Sequence, residues 1–206
     1  MALIISSKKV FTNNHRSPLL PISSSYFSNS LLIANTTRSF SKVSEKDLKI
    51  PSACEMIGEA EIQKILSIAG ASVNIKEADD PGNLTTRSCF FKWDDPATPN
   101  AGILIQILTN PVYSEYPEYI SKFVSSKLTD GETVMGSDNP SIFKKFKSGN
   151  TVGAYSFEQG KAYWNLNNDY LFMLAFNVST LTEDQLVNAT EAIVAEVNKN
   201  FASKAG

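Results

Sequence analysis

The chain predicts an α+β domain, a mostly antiparallel sheet of about six strands packed with three helices. Three observations carry this reading. The run YLFMLAF (170–176) has strand length and is apolar on both parities, as a central strand covered on both faces must be. Short turn sequences, EQG (158–160) and NND (167–169), separate three consecutive strand-like runs, which is how antiparallel hairpins are written. TEDQLVNATEAIVAEVNKNF (182–201) repeats its apolar residues at helical intervals, the pattern of a helix with one buried stripe.

The elements follow in order. KIPSACEMIGEAEIQKILSIAG (49–70) predicts the first helix. Ser52 and Glu55 have capping-box spacing. Ile57, Ile62, Ile65, Leu66 and Ala69 share a face, and Gly70 stands where a helix stops. VNIKEA (73–78), TRSCFFKW (86–93) and GILIQILT (102–109) predict three strands, divided by DDPGN and DDPATPN, both turn chemistry. YSEYPEYISKFVSSKL (113–128) predicts the second helix, with Pro117 tolerable in its first turn. Tyr116, Ile120, Phe123, Val124 and Leu128 form its buried face. Residues 130–150 read as a loop with one helical turn near Ile142–Phe146. TVGAYSFE, GKAYWNL and DYLFMLAFNV supply three more strands. The last helix opens on a second capping box, Thr182 with Gln185, and buries Leu186, Ala189, Ile193, Val194, Val197 and Phe201. Helices are expected on both faces of the sheet; a two-layer arrangement with helices on one side only is the alternative.

Charge divides the chain in two. Residues 1–44 hold five basic residues and no acid. From Glu45 onward 14 bases face 21 acids, a balance of −7. The first segment is basic, acid-free and rich in Ser and Asn, the composition of an organelle transit peptide. Residues 1–45 therefore predict a targeting leader or a disordered tail, and 46–206 a single α+β domain. A mitochondrial destination is the first expectation; a plastid lumen, or a bacterial envelope or secreted location, is the alternative. The acidic body is a poor partner for nucleic acid, which needs a basic face. No apolar stretch reaches the length of a membrane-spanning helix.

The only histidine is His15, inside the leader. The body thus lacks the imidazole of Ser–His–Asp, Cys–His and His-ligated metal sites. No metal, cofactor or catalytic residue is expected. The two cysteines, Cys54 and Cys89, are too far apart for a C-x-x-C pair and too few for structural zinc. They read as a disulfide tying the first helix to an early strand, or as two buried thiols. A disulfide suits an oxidising compartment such as an intermembrane space or a lumen. Alternation along RSCFFKW puts Cys89, Phe91 and Trp93 on one face and Ser88, Phe90 and Lys92 on the other. Asp94 and Asp95 open a turn, yet paired carboxylates can also do acid–base work. Tyr113, Tyr116 and Tyr119 cluster in YSEYPEY. With Asp94 and Asp95 they form the candidate ligand or partner surface.

The stretch ACEMIGEAEIQKIL, the later SCFFKW, the aromatic hairpin strands and the amphipathic last helix together resemble a group of poorly characterised bacterial secreted or lipoprotein domains. Cys54, Cys89 and Trp93 match that pattern. The resemblance implies a layout similar to the PsbP-like α/β/α sandwich and no assigned catalytic residues. The functional expectation is a non-catalytic binding or accessory module with a protein partner, as a subunit or assembly partner of a larger complex. A small enzyme using carboxylate and tyrosine chemistry without histidine is the alternative.

Overall fold

Runs with apolar residues at alternate positions form seven strands, and these pair into one sheet. The computed structural model describes residues 48–79, 83, 85–133 and 138–204. The predicted leader, with His15, lies outside the described residues, as do the middle of the DDPGN turn and both ends of the chain. The strands are β1 (Asn74–Glu77), β2 (Thr86–Lys92), β3 (Gly102–Thr109), β4 (Lys144–Ser148), β5 (Thr151–Ser156), β6 (Lys161–Leu166) and β7 (Tyr170–Asn177). They pair in the order β1-β2-β3-β7-β6-β5-β4, and every pairing is antiparallel. The helices are α1 (Glu59–Ile65), α2 (Tyr119–Thr129) and α3 (Glu183–Lys204), preceded by a 3-10 turn at Ala53–Glu55.

Strand parity sorts the core into two halves. Cys89, Phe91, Ile103, Ile105, Ile107, Trp164, Phe172 and Leu174 face α1 and α3, where they meet Ile62 and the stripe Leu186, Ala189, Ile193, Val194, Val197 and Phe201. The Trp164 and Phe172 rings stack at 5.0 Å. On the opposite face Ala154, Tyr163 and Leu171 pack with Ile120, Val124 and Phe143 around α2. Helices therefore cover both faces, as the two-sided apolar content of β7 requires.

The strand count is corrected from about six to seven. The extra strand, β4, lies where a loop with a helical turn is expected. Its sequence KKFKS buries only Phe146. A strand at a sheet edge needs no more, and edge lysines discourage pairing with other chains. Phe146 lies over Gly153, its cross-strand partner. A Cβ at Gly153 would overlap the Phe146 ring and approach the Tyr163 carbonyl to 2.5 Å. Gly153→Ala is expected to cost about 2 kcal/mol through overpacking, with faster hydrogen exchange in β4. Unchanged urea stability and unchanged β4 protection would refute that role for Gly153.

The first predicted helix is two pieces. Ser52 caps the 3-10 turn, accepting from the Cys54 N–H at 3.3 Å, and Glu55 leaves the expected capping box to pair with Lys204 at 2.8 Å. Gly58 then adopts extended backbone and opens α1, which ends at Leu66 rather than beside Gly70. The second helix begins later than expected, after Pro117. Its missing cap comes from the β6–β7 turn: Asn168 accepts from the Ser121 N–H at 2.9 Å and donates to the Pro117 carbonyl at 3.0 Å. The capping box of α3 forms as expected, with Thr182 N–H on Gln185 Oε1 at 2.9 Å and Gln185 N–H on Thr182 Oγ1 at 3.3 Å.

Candidate binding face

Cys54 and Cys89 are joined in a disulfide that spans 35 positions of sequence. It pins the 3-10 turn to β2, whose other face carries Phe90 and Lys92. Ser52 reinforces the same attachment by donating to Glu77 Oε1 on β1 at 2.6 Å. The RSCFFKW stretch is thus one anchor of a structural clamp.

Asp94 and Asp95 begin the β2–β3 loop. They line a cleft of about 790 Å³ together with Ser72, Asn74, Lys92, Trp93 and Asn100. Asp95 Oδ1 accepts from the Ala97 N–H at 2.7 Å, so one carboxylate holds the turn. The loop is fastened from β7 onward: Asn177 Nδ2 donates to the Asn100 carbonyl at 2.7 Å, and the Thr98 and Ser179 hydroxyls are 2.7 Å apart. Trp93 is only 5% exposed. It belongs to the core on the α1 and α3 side, and its ring presents no stacking surface.

The tyrosines lie elsewhere. Tyr113, Tyr116 and Tyr119 precede or open α2, beyond the far end of β3. β3 is eight residues long, so it separates them from Asp94 and Asp95 by about 25 Å at strand rise. No tyrosine lines the cleft beside the two aspartates. Tyr116 is 57% and Tyr119 37% exposed. The proposed surface therefore divides into two separate regions.

A polar cluster that local sequence patterns do not reveal sits beneath the end of α2. Glu132 accepts from Lys161 at 2.6 Å, from Lys127 at 2.8 Å and from the Tyr163 hydroxyl at 3.0 Å. Burial pushes its carboxyl upward, but the two lysines and Tyr163 outweigh burial and hold it at about 2. Burial, and then Glu132, raise Tyr163 well above the usual tyrosine range. A carboxylate that acidic and a phenol that basic are both far from neutrality, which is poor tuning for acid–base work. The cluster clamps α2 to β6.

A half-buried apolar face lies beside α2, where Phe90, Leu104, Ala175 and Phe176 keep part of their surface accessible. That helix packs on β5 and β6 and reaches Leu171, Met173 and Leu108. Among the described residues no helix lies over the same face of β1 and β2, or over the Gly102–Gln106 half of β3. There the register aligns one cross-strand row, Lys76–Phe90–Leu104–Ala175–Lys161. Phe90, Leu104, Ala175 and Phe176 line a groove of about 290 Å³, bordered by Lys92, Asn100 and Asn177. Lys92 Nζ sits 5.2 Å from the centre of the Phe90 ring. The groove shares Lys92 and Asn100 with the Asp94–Asp95 cleft. Alternation places Phe90 and Lys92 on this face, but the absence of a covering helix depends on where α2 docks.

Among the described residues no helix is long and apolar enough to cross a membrane, and no group of three or more His, Cys, Asp or Glu is arranged to hold a metal. No family model, no curated protein and no solved structure matches this chain.

Proposed function

We propose that this chain is a non-catalytic docking module that binds a protein partner through the half of the sheet α2 leaves open. The observation that carries this is the apolar row Phe90–Leu104–Ala175 on a groove with a pinned rim. A helix-sized strip of sheet without its helix is a ready surface for another chain. The enzyme alternative needs carboxylates and tyrosines at one place. The separation of Asp94 and Asp95 from Tyr113, Tyr116 and Tyr119 counts against it, as does the tight pairing of Glu132. The disulfide supports work in an oxidising compartment; within a mitochondrial destination that favours the intermembrane space over the matrix. The PsbP-like layout remains part of this proposal, supported by helices on both faces of an antiparallel sheet.

The test is a photo-crosslinking amino acid placed at exposed Lys92, with Lys147 on the far edge strand as control, expressed in the native source. A discrete protein adduct at position 92 and none at 147 is expected. Equal labelling at both positions, or no adduct at 92, overturns the proposal. A small-molecule adduct at 92 would replace the protein partner with a ligand.

A further inference from the structure

The open face has a chemical preference, and it is opposite to the charge of the body as a whole. From Glu45 onward acids outnumber bases by seven, yet the charged side chains on the apolar row and its border are lysines. Lys76 stands directly across from Phe90, Lys92 lies over the Phe90 ring, and Lys161 ends the row beyond Ala175. Lys161 is already neutralised by Glu132 at 2.6 Å. Lys76 and Lys92 are exposed and make no ion pair among the described residues. Two exposed ammonium groups therefore bracket one end of an apolar strip. Asp94 and Asp95 line the cleft on the other side of Lys92 and Asn100. They repel a carboxylate from that cleft and leave the Phe90 end as the place where one can settle.

We propose that this face docks an acidic amphipathic segment of a protein partner, with apolar side chains on Phe90, Leu104 and Ala175 and carboxylates at Lys76 and Lys92. The inference rests on the docking reading above and adds the partner's chemistry to it. The apolar row supplies contact area, and the lysines supply orientation and selection against basic segments. The row from Lys76 to Lys161 crosses five strands (β1, β2, β3, β7 and β6), about 19 Å at ordinary strand spacing, a span that roughly 13 helical residues match.

Two synthetic amphipathic peptides about 14 residues long test it. They carry the same leucine stripe, one with Glu and the other with Lys at the polar positions. Each is titrated into the full chain and followed by amide chemical shifts. The Glu peptide is expected to move Phe90, Leu104 and Ala175 and to bind about tenfold more tightly or better at low salt. The Lys76→Glu/Lys92→Glu variant should reverse the order of the two peptides; neither lysine makes an ion pair among the described residues, and thermal melting checks that the variant remains folded. If both peptides bind this face equally, the acidic preference falls and the docking face stands. If neither moves these residues, both fall. Laurate is titrated in parallel; if it alone moves these residues, the site takes a small anionic amphiphile and the protein-segment proposal is overturned.

Discussion

Replacing Cys54 and Cys89 together by alanine is expected to lower stability by about 4 kcal/mol. The closed loop spans 35 positions, and restricting an unfolded chain by a loop of that size contributes about 4 kcal/mol in the chain-entropy description. At about 2–4 °C per kcal/mol for a domain of this size, the midpoint of thermal unfolding should fall by about 10 °C. Reducing agent added to the natural chain should reproduce the same shift. The loss has a location as well as a size. The disulfide and the Ser52–Glu77 hydrogen bond attach the 3-10 turn to β2 and β1, so hydrogen exchange should quicken first in those strands and last in β6 and β7. Coincident urea transitions for oxidised and reduced protein would remove the clamp from this account.

Those strands were also among the easier parts of the chain to read, because their alternation is clean and their turns are rich in Asp, Pro, Gly and Asn. The β6–β7 turn was legible for the same reason: Asn167 and Asn168 take up left-handed backbone, which asparagine tolerates. α3 was legible because one stripe and one capping box decide it locally. β4 was not. A strand with three lysines and a single buried phenylalanine has almost no periodicity, and it exists because Gly153 offers a place for that ring. The first helix misled for a related reason. Its apolar spacing continues through Gly58, but glycine costs about 1 kcal/mol in a helix interior, and Cys54 is held against Cys89.

The site was legible as residues and illegible as a place. Asp94, Asp95 and the three tyrosines stand out in sequence as surface chemistry, while β3 sets them at opposite ends of the sheet. Phe90 and Lys92 fall on one face by simple alternation, yet the same alternation would hold if a helix covered them. What leaves that face open is the docking of α2 over β5 and β6, and this is decided by contacts far apart in sequence, such as the Asn168 cap and the Glu132 cluster. Glu132 itself lies in a stretch that reads as loop, and its three partners come from two elements.

Removing that carboxylate tests whether α2 is positioned as described. Glu132→Gln keeps the shape and deletes the charge that two lysines share; Lys127 is only 12% exposed and Glu132 22%. Leaving the lysines unpaired is expected to cost about 3 kcal/mol near pH 7. The pH dependence gives an independent reading. The folded carboxyl titrates at about 2 against a usual 4.5, so the unfolded chain binds more protons between those values and stability rises with pH there. The contribution is complete above the unfolded value and is lost as pH falls toward 2. A shift of this size corresponds to about 3 kcal/mol. Tyr163 acts at the other extreme: its raised folded value means stability is lost as pH climbs past the ordinary tyrosine range. The stability difference between the natural chain and Glu132→Gln should therefore be nearly flat at neutral pH and shrink steadily below about pH 5. Two curves that stay parallel down to pH 2 would mean that Glu132 is an ordinary surface acid, and that something other than this cluster holds α2 away from the Phe90–Leu104 face.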